Sequence, residues 1–397
     1  MDSVAITIAE WLARESLRRD DMLGLVSGLC GRLELAGVPL LRAHVSMPTL
    51  HPTIEGFGFT WRRGRGLENT EWGWDHHSVN WEQSPFRNMI LNREPVIRRR
   101  LDGDSTLFDY PILADMKAEG ATDYAARLIP FGEPFARDYD TDPLPGIATS
   151  WTTDRPGGFS EDELALIDRL LPFLGLAVYR LSLKHVATST LEAYIGPGAT
   201  QRVLSGEIRR GVVTRKPSVV MFADLRGFTS LADCTEGERL VRYLNEHLDC
   251  MVGPVERHGG QVLKLLGDGM LAVFPLLDGT YEPACEAALR ATEEAIAETA
   301  DLNDRRRVGL EPELHLDVAL HMGEVMYGNV GSARRLDFTM IGPAVNEASR
   351  IEALCHVLGH HVLISSSFAK GCCVALRSVG VHALRGVSAP QELFTLA

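Results

Sequence analysis

The sequence predicts an α+β protein with two domains, each containing both helices and strands. A chain of 397 residues is long enough for two domains, because one domain usually takes about 100 to 200 residues. Hydrophobic residues make up 45% and charged residues 23%, which is typical of folded proteins and excludes a disordered chain or a coiled-coil rod. All six tryptophans precede residue 152, so the composition changes along the chain and a domain boundary is expected between the two parts.

The charge of the chain disfavours a nucleic-acid partner. Its 40 Lys and Arg residues against 53 Asp and Glu residues give a formal net charge of -13, the wrong sign for binding a phosphate backbone. Asp2, Glu10 and Glu15 stand where a secretory signal carries basic residues, and no apolar run is long enough for a membrane span. We therefore expect a cytoplasmic protein without a membrane span.

The spacing of cysteines and histidines predicts neither a disulfide framework nor a zinc site. The seven cysteines are odd in number, and none is in CxxC spacing. His76 and His77 are adjacent, as are His360 and His361. Because neighbouring residues of a strand face opposite sides, such a pair cannot chelate one ion together.

The first domain, residues 1–185, begins with a helical pattern over residues 4–35. Short strand-like runs follow at residues 42–46, 56–61 and 125–130. Helices and short strands within one segment predict an α+β domain.

A long helix is predicted to begin after Ser160, which forms a capping box with Glu163 and so satisfies two backbone donors. Apolar residues then recur at spacings of 3, 4, 3, 4 and 3, namely Leu164, Ile167, Leu171, Leu174, Val178 and Leu181. This heptad spacing fits a seam between two helices of a dimer, or a helix that lies on the sheet of its own domain. Pro172 weakens the coiled-coil interpretation, and both interpretations stay open.

Residues 186–215 are predicted to be a helical linker, because a short helical stretch there is interrupted at residues 196–198 and ends at Gly211. The second domain, residues 216–397, has a regular order of elements. Strands are predicted at 218–224, 261–266, 270–274, 313–321, 325–330 and 337–341, and helices at 236–258, 281–300 and 345–356. The order β-α-β-β-α-β indicates a sheet of the ferredoxin-like or palm type.

Two carboxylates are expected to meet at one edge of this sheet. Asp224 ends the first strand, and Asp268 lies in the turn of a hairpin in which Asp268-Gly269 supplies positive φ values. Oxygen ligands of this kind suit Mg²⁺ or Mn²⁺, which pair carboxylates with substrate phosphates. The loop 225–230 leads into a helix and presents free backbone N–H groups, which favours binding of a triphosphate.

Three sequence blocks resemble the signatures of class III nucleotidyl cyclases, at residues 222–229 (FADLRGFT), 264–269 (KLLGDG) and 339–350 (TMIGPAVNEASR). The resemblance covers residues 216–397 and implies a cyclase catalytic domain with two Mg²⁺ or Mn²⁺ ions per active site. It assigns metal binding to Asp224, Leu225 and Asp268, substrate binding to Lys264, Thr339, Phe228, Thr229 and Arg385, and transition-state stabilisation to Asn346 and Arg350.

The same resemblance implies a reaction and an assembly. ATP is converted to 3′,5′-cyclic AMP and pyrophosphate in a homodimer, in which one chain supplies the metal ligands and the other supplies Asn346 and Arg350. Lys264 can donate a hydrogen bond to N1 of adenine and the Thr339 hydroxyl can accept one from N6, which favours ATP over GTP. Pro343-Ala344 replaces the more frequent Asp-Thr of the family and removes no catalytic group.

The first domain resembles the closing part of a GAF-type sensor domain at residues 121–124 and 153–160. This resemblance implies a regulatory domain that responds to an unidentified ligand or protein partner, and it assigns no ligand-binding residues. Trp72, Trp74 and Trp81 either line a pocket or build the core.

The sequence leaves two functions for the whole chain: a regulated adenylate cyclase, or a catalytically silent, dimeric, nucleotide-binding signalling module.

Overall fold

The computed structural model describes residues 2–49, 51, 53–73, 79–103, 107–131, 146–276 and 279–397. The chain forms two compact units, Met1–Thr190 and Leu191–Ala397. Trp74, His76 and His77 lie outside the described residues. Each unit has a sheet, helices and a hydrophobic core of its own.

The sheet of the first unit is built from β1 (Arg42–Pro48), β2 (Gly56–Arg62), β3 (Gly66–Trp72), β4 (Val96–Arg100), β5 (Asp123–Pro130) and β6 (Gly146–Thr153). All neighbouring strands are antiparallel, in the order β3-β2-β1-β6-β5-β4. Its helices are α1 (Asp2–Arg18), α2 (Met22–Leu35), α3 (Val79–Glu82), α4 (Pro85–Asn92), α5 (Pro111–Ala118) and α6 (Glu161–Ile195). Alternate residues of β1, namely Ala43, Val45 and Met47, are buried in the same core as α1, α2 and α6.

The helical pattern over residues 4–35 forms two helices, not one. The break lies between Arg18 and Met22, where Asp21 has an extended backbone and its carboxylate accepts a hydrogen bond from Gly24 N at 2.8 Å. An aspartate in this position caps the new helix, because it satisfies a backbone donor that the first turn leaves free. The apolar periodicity continues across the break, since both helices pack on the same core.

Helix α6 lies on the core of its own unit. The capping box is present: Ser160 N donates to Glu163 Oε2 at 2.8 Å and Glu163 N donates to Ser160 Oγ at 3.3 Å. All six residues of the heptad seam are buried in the core that α1, α2 and the sheet share. The seam is therefore buried within one chain, as the second interpretation states. Another row of apolar residues on α6 is exposed, namely Phe173, Leu176, Tyr179 and Leu183.

Trp72 and Trp81 have different surroundings. A Cβ atom on Gly56 would lie 2.5 Å from Cζ2 of Trp72, so the indole of Trp72 covers a glycine of the neighbouring strand β2. Trp81 is 40% exposed. Trp72 thus contributes to packing on the sheet, and Gly56 is required because any side chain would displace the ring.

The segment predicted as a linker, residues 186–215, is largely helical. It includes the end of α6 and a short helix α7 (Pro197–Leu204), which Gly196 precedes with a φ of 80°. Pro197 is the first residue of α7, because a proline is well tolerated in the first turn of a helix.

The second unit contains β7 (Val213–Leu225), β8 (Gln261–Leu266), β9 (Gly269–Pro275), β10 (Leu316–Gly331), β11 (Leu336–Ile341), β12 (Val362–Ser365), β13 (Leu376–His382) and β14 (Gln391–Leu396). Its other helices are α8 (Phe228–Cys234), α9 (Gly237–Arg257), α10 (Glu282–Val308), α11 (Pro343–Leu358) and α12 (Ser366–Ala369). The sheet has the order β13-β14-β12-β10-β7-β9-β8, and β11 pairs with β10.

The core of this sheet has the predicted β-α-β-β-α-β order, made of β7, α9, β8, β9, α10 and β10. Its strands lie in the order β10-β7-β9-β8 with every neighbouring pair antiparallel. The strands predicted at 313–321 and 325–330 are one continuous strand, β10, which pairs with β7 along its length. Gly323 does not interrupt it, because the partner strand holds the backbone in register.

The two faces of this sheet carry different helices. Val219, Met221 and Ala223 of β7 face a core shared with α9 and α10. The alternate residues Val220 and Phe222 face α11, where they pack with residues such as Ala348 and Ile351. Because side chains alternate along a strand, Asp224 continues the row that faces α11.

In the described part of the chain, no helix combines the length and the apolar character that crossing a membrane requires.

Candidate active site

Asp224 and Asp268 lie side by side at one end of the sheet. Asp224 is the second-last residue of β7, and Asp268 lies in the turn between β8 and β9. A Cβ atom on Gly269 would lie only 2.9 Å from Oδ1 of Asp224, so a glycine is needed where the hairpin passes this carboxylate. The predicted convergence of the two carboxylates is present in the structure.

The turn between β8 and β9 differs in one detail from the prediction. The positive φ, 73°, belongs to Gly267, and Gly269 already pairs with Leu266 in the ladder. Asp268 is thus spared the left-handed conformation that costs a non-glycine residue free energy. Gly267, the residue before Asp268, adopts the positive φ that the turn requires.

The pKa of Asp224 is raised to about 7, first by burial and then by the charge and hydrogen bond of Asp268. A hydrogen bond from Leu225 N to Asp224 Oδ1 at 3.1 Å opposes this rise. At neutral pH and without a cation, a carboxylate pair of this kind retains a proton. A divalent cation can replace that proton, so the residues present fit a metal site.

Two more carboxylates, Asp317 and Glu352, belong to this cluster and were missed by the sequence analysis. Asp317 of β10 is opposite Asp224 in the β7–β10 ladder and is 2% exposed. Burial, with the charges of Asp224, Asp317 and Asp268, raises the pKa of Glu352 to about 7. A signal existed for Glu352: it follows Val345 and Ala348 at spacings of 3 and 4, on the face of α11 turned to the sheet.

Arg226 supplies a positive charge inside this carboxylate cluster. Its guanidinium makes two hydrogen bonds to Asp317, at 2.8 and 2.7 Å, and a third to the carbonyl of His360 at 2.9 Å. Asp317 is therefore paired, while Asp224 and Asp268 face each other. The carboxylates that Arg226 does not neutralise are the two aspartates that the sequence analysis assigned to metal binding and, next to them, Glu352.

A metal bound here needs ligands beyond these side chains. Within the described residues, no three His, Cys, Asp or Glu side chains form a ready-made metal cluster. Asp224, Asp268 and the backbone carbonyl of Leu225 are the groups that would hold the ion, with phosphate oxygens and water completing the coordination. Such a partial set is typical of Mg²⁺ sites that form with a phosphate substrate.

The loop after Asp224 leads into α8 through Gly227, which has a φ of 77° and carries no side chain to cap the helix. Thr229 is exposed in the first turn of α8. Phe228 is different, because its ring is partly buried against a small core that includes Leu225 and Leu314. The N–H groups of Leu225 and Arg226 already donate to Asp224 Oδ1 and His315 O, so the exposed part of this loop begins at Gly227. The Phe228 ring holds the loop in place.

Lys264 belongs to β8 and Thr339 to β11, two strands that do not pair with each other in the sheet. The ammonium of Lys264 forms an ion pair with Asp337, which precedes Thr339 by two residues and so shares its face of β11. Both partners are partly exposed. Sequence analysis did not identify Asp337, because a single acidic residue in an edge strand carries no spacing signal.

Arg350 of α11 lies against the backbone next to Arg385. A Cβ atom on Gly386 would lie 3.5 Å from Nη2 of Arg350, so the guanidinium lies against the residue that follows Arg385. Glu347 accepts a hydrogen bond from Gln391 at 2.7 Å. Among the described ion pairs, none joins Arg350 to Glu347 or to Glu352. The surface ion pair that would give Arg350 a purely structural role is not formed.

The carboxylate cluster and the transition-state residues are separated by the geometry of α11. Glu352 is turned to the Asp224 cluster of its own chain, and Arg350 lies two residues earlier, about 200° around the helix axis. Asn346 is four residues before Arg350 and shares its side of the helix. Asn346 and Arg350 therefore project away from the carboxylates of their own chain.

Comparison with known proteins identifies the class of this unit. Residues 213–373 match the family model described as Adenylate and Guanylate cyclase catalytic domain. An adenylate cyclase of Anabaena cylindrica is 35% identical over 165 residues, covering 40% of this chain and 32% of that protein. Adenylate cyclase 2 of Rhizobium meliloti (strain 1021) is 28% identical over 225 residues, covering 55% of this chain and 60% of that protein.

Among solved structures, the adenylyl cyclase CyaB from P. aeruginosa is 29% identical, with a TM-score of 0.43, over 47% of this chain and 96% of that one. This chain spans less than two thirds of the length of the two curated relatives. The second unit contains a class III adenylate/guanylate cyclase catalytic domain.

Proposed function

We propose that this chain is an adenylate cyclase, which forms 3′,5′-cyclic AMP and pyrophosphate from ATP at two equivalent sites of a homodimer. The observation that carries the proposal is the pairing of Asp224 with Asp268, where burial and mutual repulsion raise the pKa of Asp224 to about 7. A carboxylate pair in this state is ready to exchange its proton for a divalent cation. The match of residues 213–373 to the cyclase domain supports the same conclusion.

In the proposed reaction the ribose 3′-oxygen attacks the α-phosphorus and pyrophosphate leaves. The chemistry depends on positioning and on charge neutralisation. Two Mg²⁺ or Mn²⁺ ions, when bound, supply Lewis-acid activation of the 3′-hydroxyl and neutralise phosphate charge. The loop that ends at Phe228 and Thr229 orients the triphosphate, and Arg385 adds a bidentate cation for it. Arg350 meets the negative charge that develops on the α-phosphate, and Asn346 on the same side of α11 stabilises the same transition state.

Support for the proposed homodimer comes from the direction in which α11 presents its side chains. Since Glu352 is turned to Asp224 of its own chain, Arg350 and Asn346 are available to the carboxylates of another copy. Two identical chains related by a two-fold axis then form two composite sites. Each site takes its metal ligands from one chain and its transition-state charge from the other.

Selection of ATP rests on Lys264 and Thr339. The ammonium of Lys264 is a donor for N1 of adenine, and the Thr339 hydroxyl accepts from the N6 amine. Guanine presents a protonated N1, so it offers a donor where Lys264 also has a donor. In this proposal Asp337 holds Lys264 in the nucleotide-free protein and leaves its other two N–H groups for the base.

The first unit is proposed to regulate the second, as a GAF-like sensor for an unidentified ligand or protein in the cytoplasm. Support comes from its own core, its six-stranded antiparallel sheet and the helix α6 at its end. A 35-residue helix is a suitable element for transmitting a structural change, because its backbone hydrogen bonds keep it rigid.

The assay that tests this function uses the whole 397-residue chain with ATP or GTP and Mg²⁺ or Mn²⁺. Cyclic AMP and pyrophosphate are expected in equal amounts from ATP, with much slower formation of cyclic GMP. The alternative, a silent nucleotide-binding module, requires nucleotide binding by calorimetry without product. Product from GTP at a rate equal to that from ATP would contradict the role of Lys264 and Thr339.

A further inference from the structure

We propose that Arg226 and Asp317 form a clamp that positions Asp224 and the Leu225 carbonyl for cation binding, which makes Arg226 a positioning residue of the metal site. This inference rests on the proposed cyclase function. It assigns a role to the arginine within the loop block 222–229, for which the sequence analysis gave none.

The clamp fixes the loop at three points. The backbone N–H of Arg226 donates to His315 O at 2.8 Å, which extends the β7–β10 pairing one step past the end of β7. The Arg226 guanidinium holds Asp317 through Nε and Nη2, at 2.8 and 2.7 Å, and Nη2 also reaches the carbonyl of His360 at 2.9 Å. The residue two positions after Asp224 is thus tied to β10 and to the segment before β12.

The position of Asp317 explains why this arrangement affects Asp224. The two aspartates are direct partners in the β7–β10 ladder, and Asp317 is 2% exposed. A buried carboxylate without a counter-ion is costly, and its charge also acts on Asp224. Arg226 neutralises Asp317, so that the negative charge left for a cation is that of Asp224 and Asp268, with Glu352 beside them.

His361 completes the environment of Asp317. Its Nδ1 lies 3.0 Å from Asp317 Oδ1, and the ring is half exposed. With both oxygens of Asp317 bound by Arg226 and one also contacted by His361, Asp317 is held in one orientation. A rigid supporting group of this kind orients the ligands of a metal site, and its loss typically lowers metal affinity by about 10- to 100-fold.

A lysine cannot reproduce this geometry. The planar guanidinium binds both carboxylate oxygens and a carbonyl at once, whereas an ammonium is a point charge. Arg226→Lys therefore keeps the charge next to Asp317 and loses the fixed orientation. Arg226→Met removes the charge and leaves Asp317 with His361 as its remaining side-chain partner. The double variant Arg226→Met/Asp317→Leu removes both members of the pair, so that neither is left as an uncompensated charge.

The experiment measures Mn²⁺ binding to the full chain by electron paramagnetic resonance, with and without a non-hydrolysable ATP analogue. Arg226→Met is expected to raise the Mn²⁺ dissociation constant by about tenfold or more. Arg226→Lys is expected to fall between Arg226→Met and the unaltered chain. The double variant should regain thermal stability without regaining Mn²⁺ affinity, which separates positioning from a merely structural role.

The control is Arg257→Met, which removes another arginine that pairs with two carboxylates, Glu294 and Glu298, on the surface of the same unit. It should leave Mn²⁺ affinity unchanged. Normal Mn²⁺ affinity in Arg226→Met, or recovery of Mn²⁺ affinity in the double variant, would contradict the positioning role of Arg226. Neither result would contradict the proposed cyclase function. Failure of the unaltered chain to bind Mn²⁺ would overturn the metal site and the proposed function with it.

Discussion

Buried carboxylates occur in both units, and their surroundings differ. In the first unit Asp123 is fully buried and accepts hydrogen bonds from Arg98 at 2.9 Å and from Phe159 N at 3.1 Å. Arg100 lies 3.5 Å from the same carboxylate. In the second unit Asp224 faces Asp268, and the nearby Arg226 is bound to Asp317.

This difference separates a structural carboxylate from one that is ready for a ligand. Asp123 joins β5 to Arg98 and to the segment before α6, so its charge is used within the fold. The Asp224 cluster has more negative than positive charge, and a folded protein retains such an arrangement at a cost to its stability. Burial of a carboxylate does not by itself indicate a ligand site. A partly buried carboxylate without a neighbouring positive charge, such as Asp224, does indicate one.

The largest expected effect is on turnover. Asp224→Ala or Asp268→Ala should lower cyclic AMP formation by about 10³ or more, because each change removes a ligand that the proposed metal site requires. Purified variants are assayed with ATP and Mn²⁺, and circular dichroism checks their fold. Asp304→Ala, which removes an exposed carboxylate paired with Arg307, is the control and should keep normal activity. Near-normal activity in the Asp224 or Asp268 variant would contradict the assignment of that residue as a metal ligand.

Arg350→Ala should lower kcat by about 10³ and leave nucleotide affinity nearly unchanged, as expected for an arginine that acts on the transition state. Rapid-quench assays measure kcat, and calorimetry measures binding of an ATP analogue. A change in KM alone would show that Arg350 binds the ground state.

The two preceding variants together test the shared site. Asp224→Ala and Arg350→Ala chains, each inactive alone, should recover about a quarter of normal activity when mixed equally, because about half of the dimers contain one intact site of two. Subunit exchange is followed by fluorescence energy transfer between labelled chains. Zero recovery after proven exchange would mean that each chain builds its site alone.

Base selection should change when its donors and acceptors change. Lys264→Glu with Thr339→Cys is expected to lower the ATP preference in kcat/KM by about 10² or more, since sites built around specific hydrogen bonds discriminate strongly. Competition assays with both nucleotides measure the ratio. An unaltered preference for ATP would show that the nucleotide base does not bind at Lys264 and Thr339.

Asp123→Ala should destabilise the first unit, in contrast to Asp224→Ala. Removing the Asp123 carboxylate leaves the buried Phe159 N–H without its acceptor, whereas Arg98 keeps Glu161 and the Phe159 carbonyl, so the expected cost is about 1 to 3 kcal/mol. Urea unfolding followed by tryptophan fluorescence reports on the first unit, because all six tryptophans lie there. A loss below about 1 kcal/mol would show that the comparison between the two carboxylates does not hold.

The smallest effect is the pH dependence of stability. The pKa of Asp224 is about 7 in the folded protein and near 3.8 when unfolded, so the folded state binds the extra proton in this window. Stability is therefore lost as pH rises from about 4 to 7. In EDTA, Asp224→Asn should raise Tm at pH 8 by about 2 to 4 °C, and less at pH 5. An equal Tm difference at both pH values would contradict the raised pKa.

The sequence by itself determined the β-α-β-β-α-β core of the second unit and the carboxylate pair, but it divided β10 in two and did not predict β12, β13 and β14. The strand at 261–266 has the same bounds in the structure, and the order β-α-β-β-α-β is present. Such features are local: side-chain periodicity marks strands and helices, and Asp224 and Asp268 each end or follow a strand. For the long helix after Ser160, the sequence determined the capping box but left two interpretations of the apolar seam.

Only the tertiary structure decided what surrounds these residues. It placed Asp317 opposite Asp224 through the β7–β10 register, turned Glu352 towards them, and paired Lys264 with Asp337. It also packed the seam of α6 on the core of its own unit. These contacts join residues far apart in the chain, and they depend on strand register and on which helix face meets which sheet. Periodicity within a segment shows which side chains share a face, but the charge and burial of a side chain are set by the segments that pack against that face.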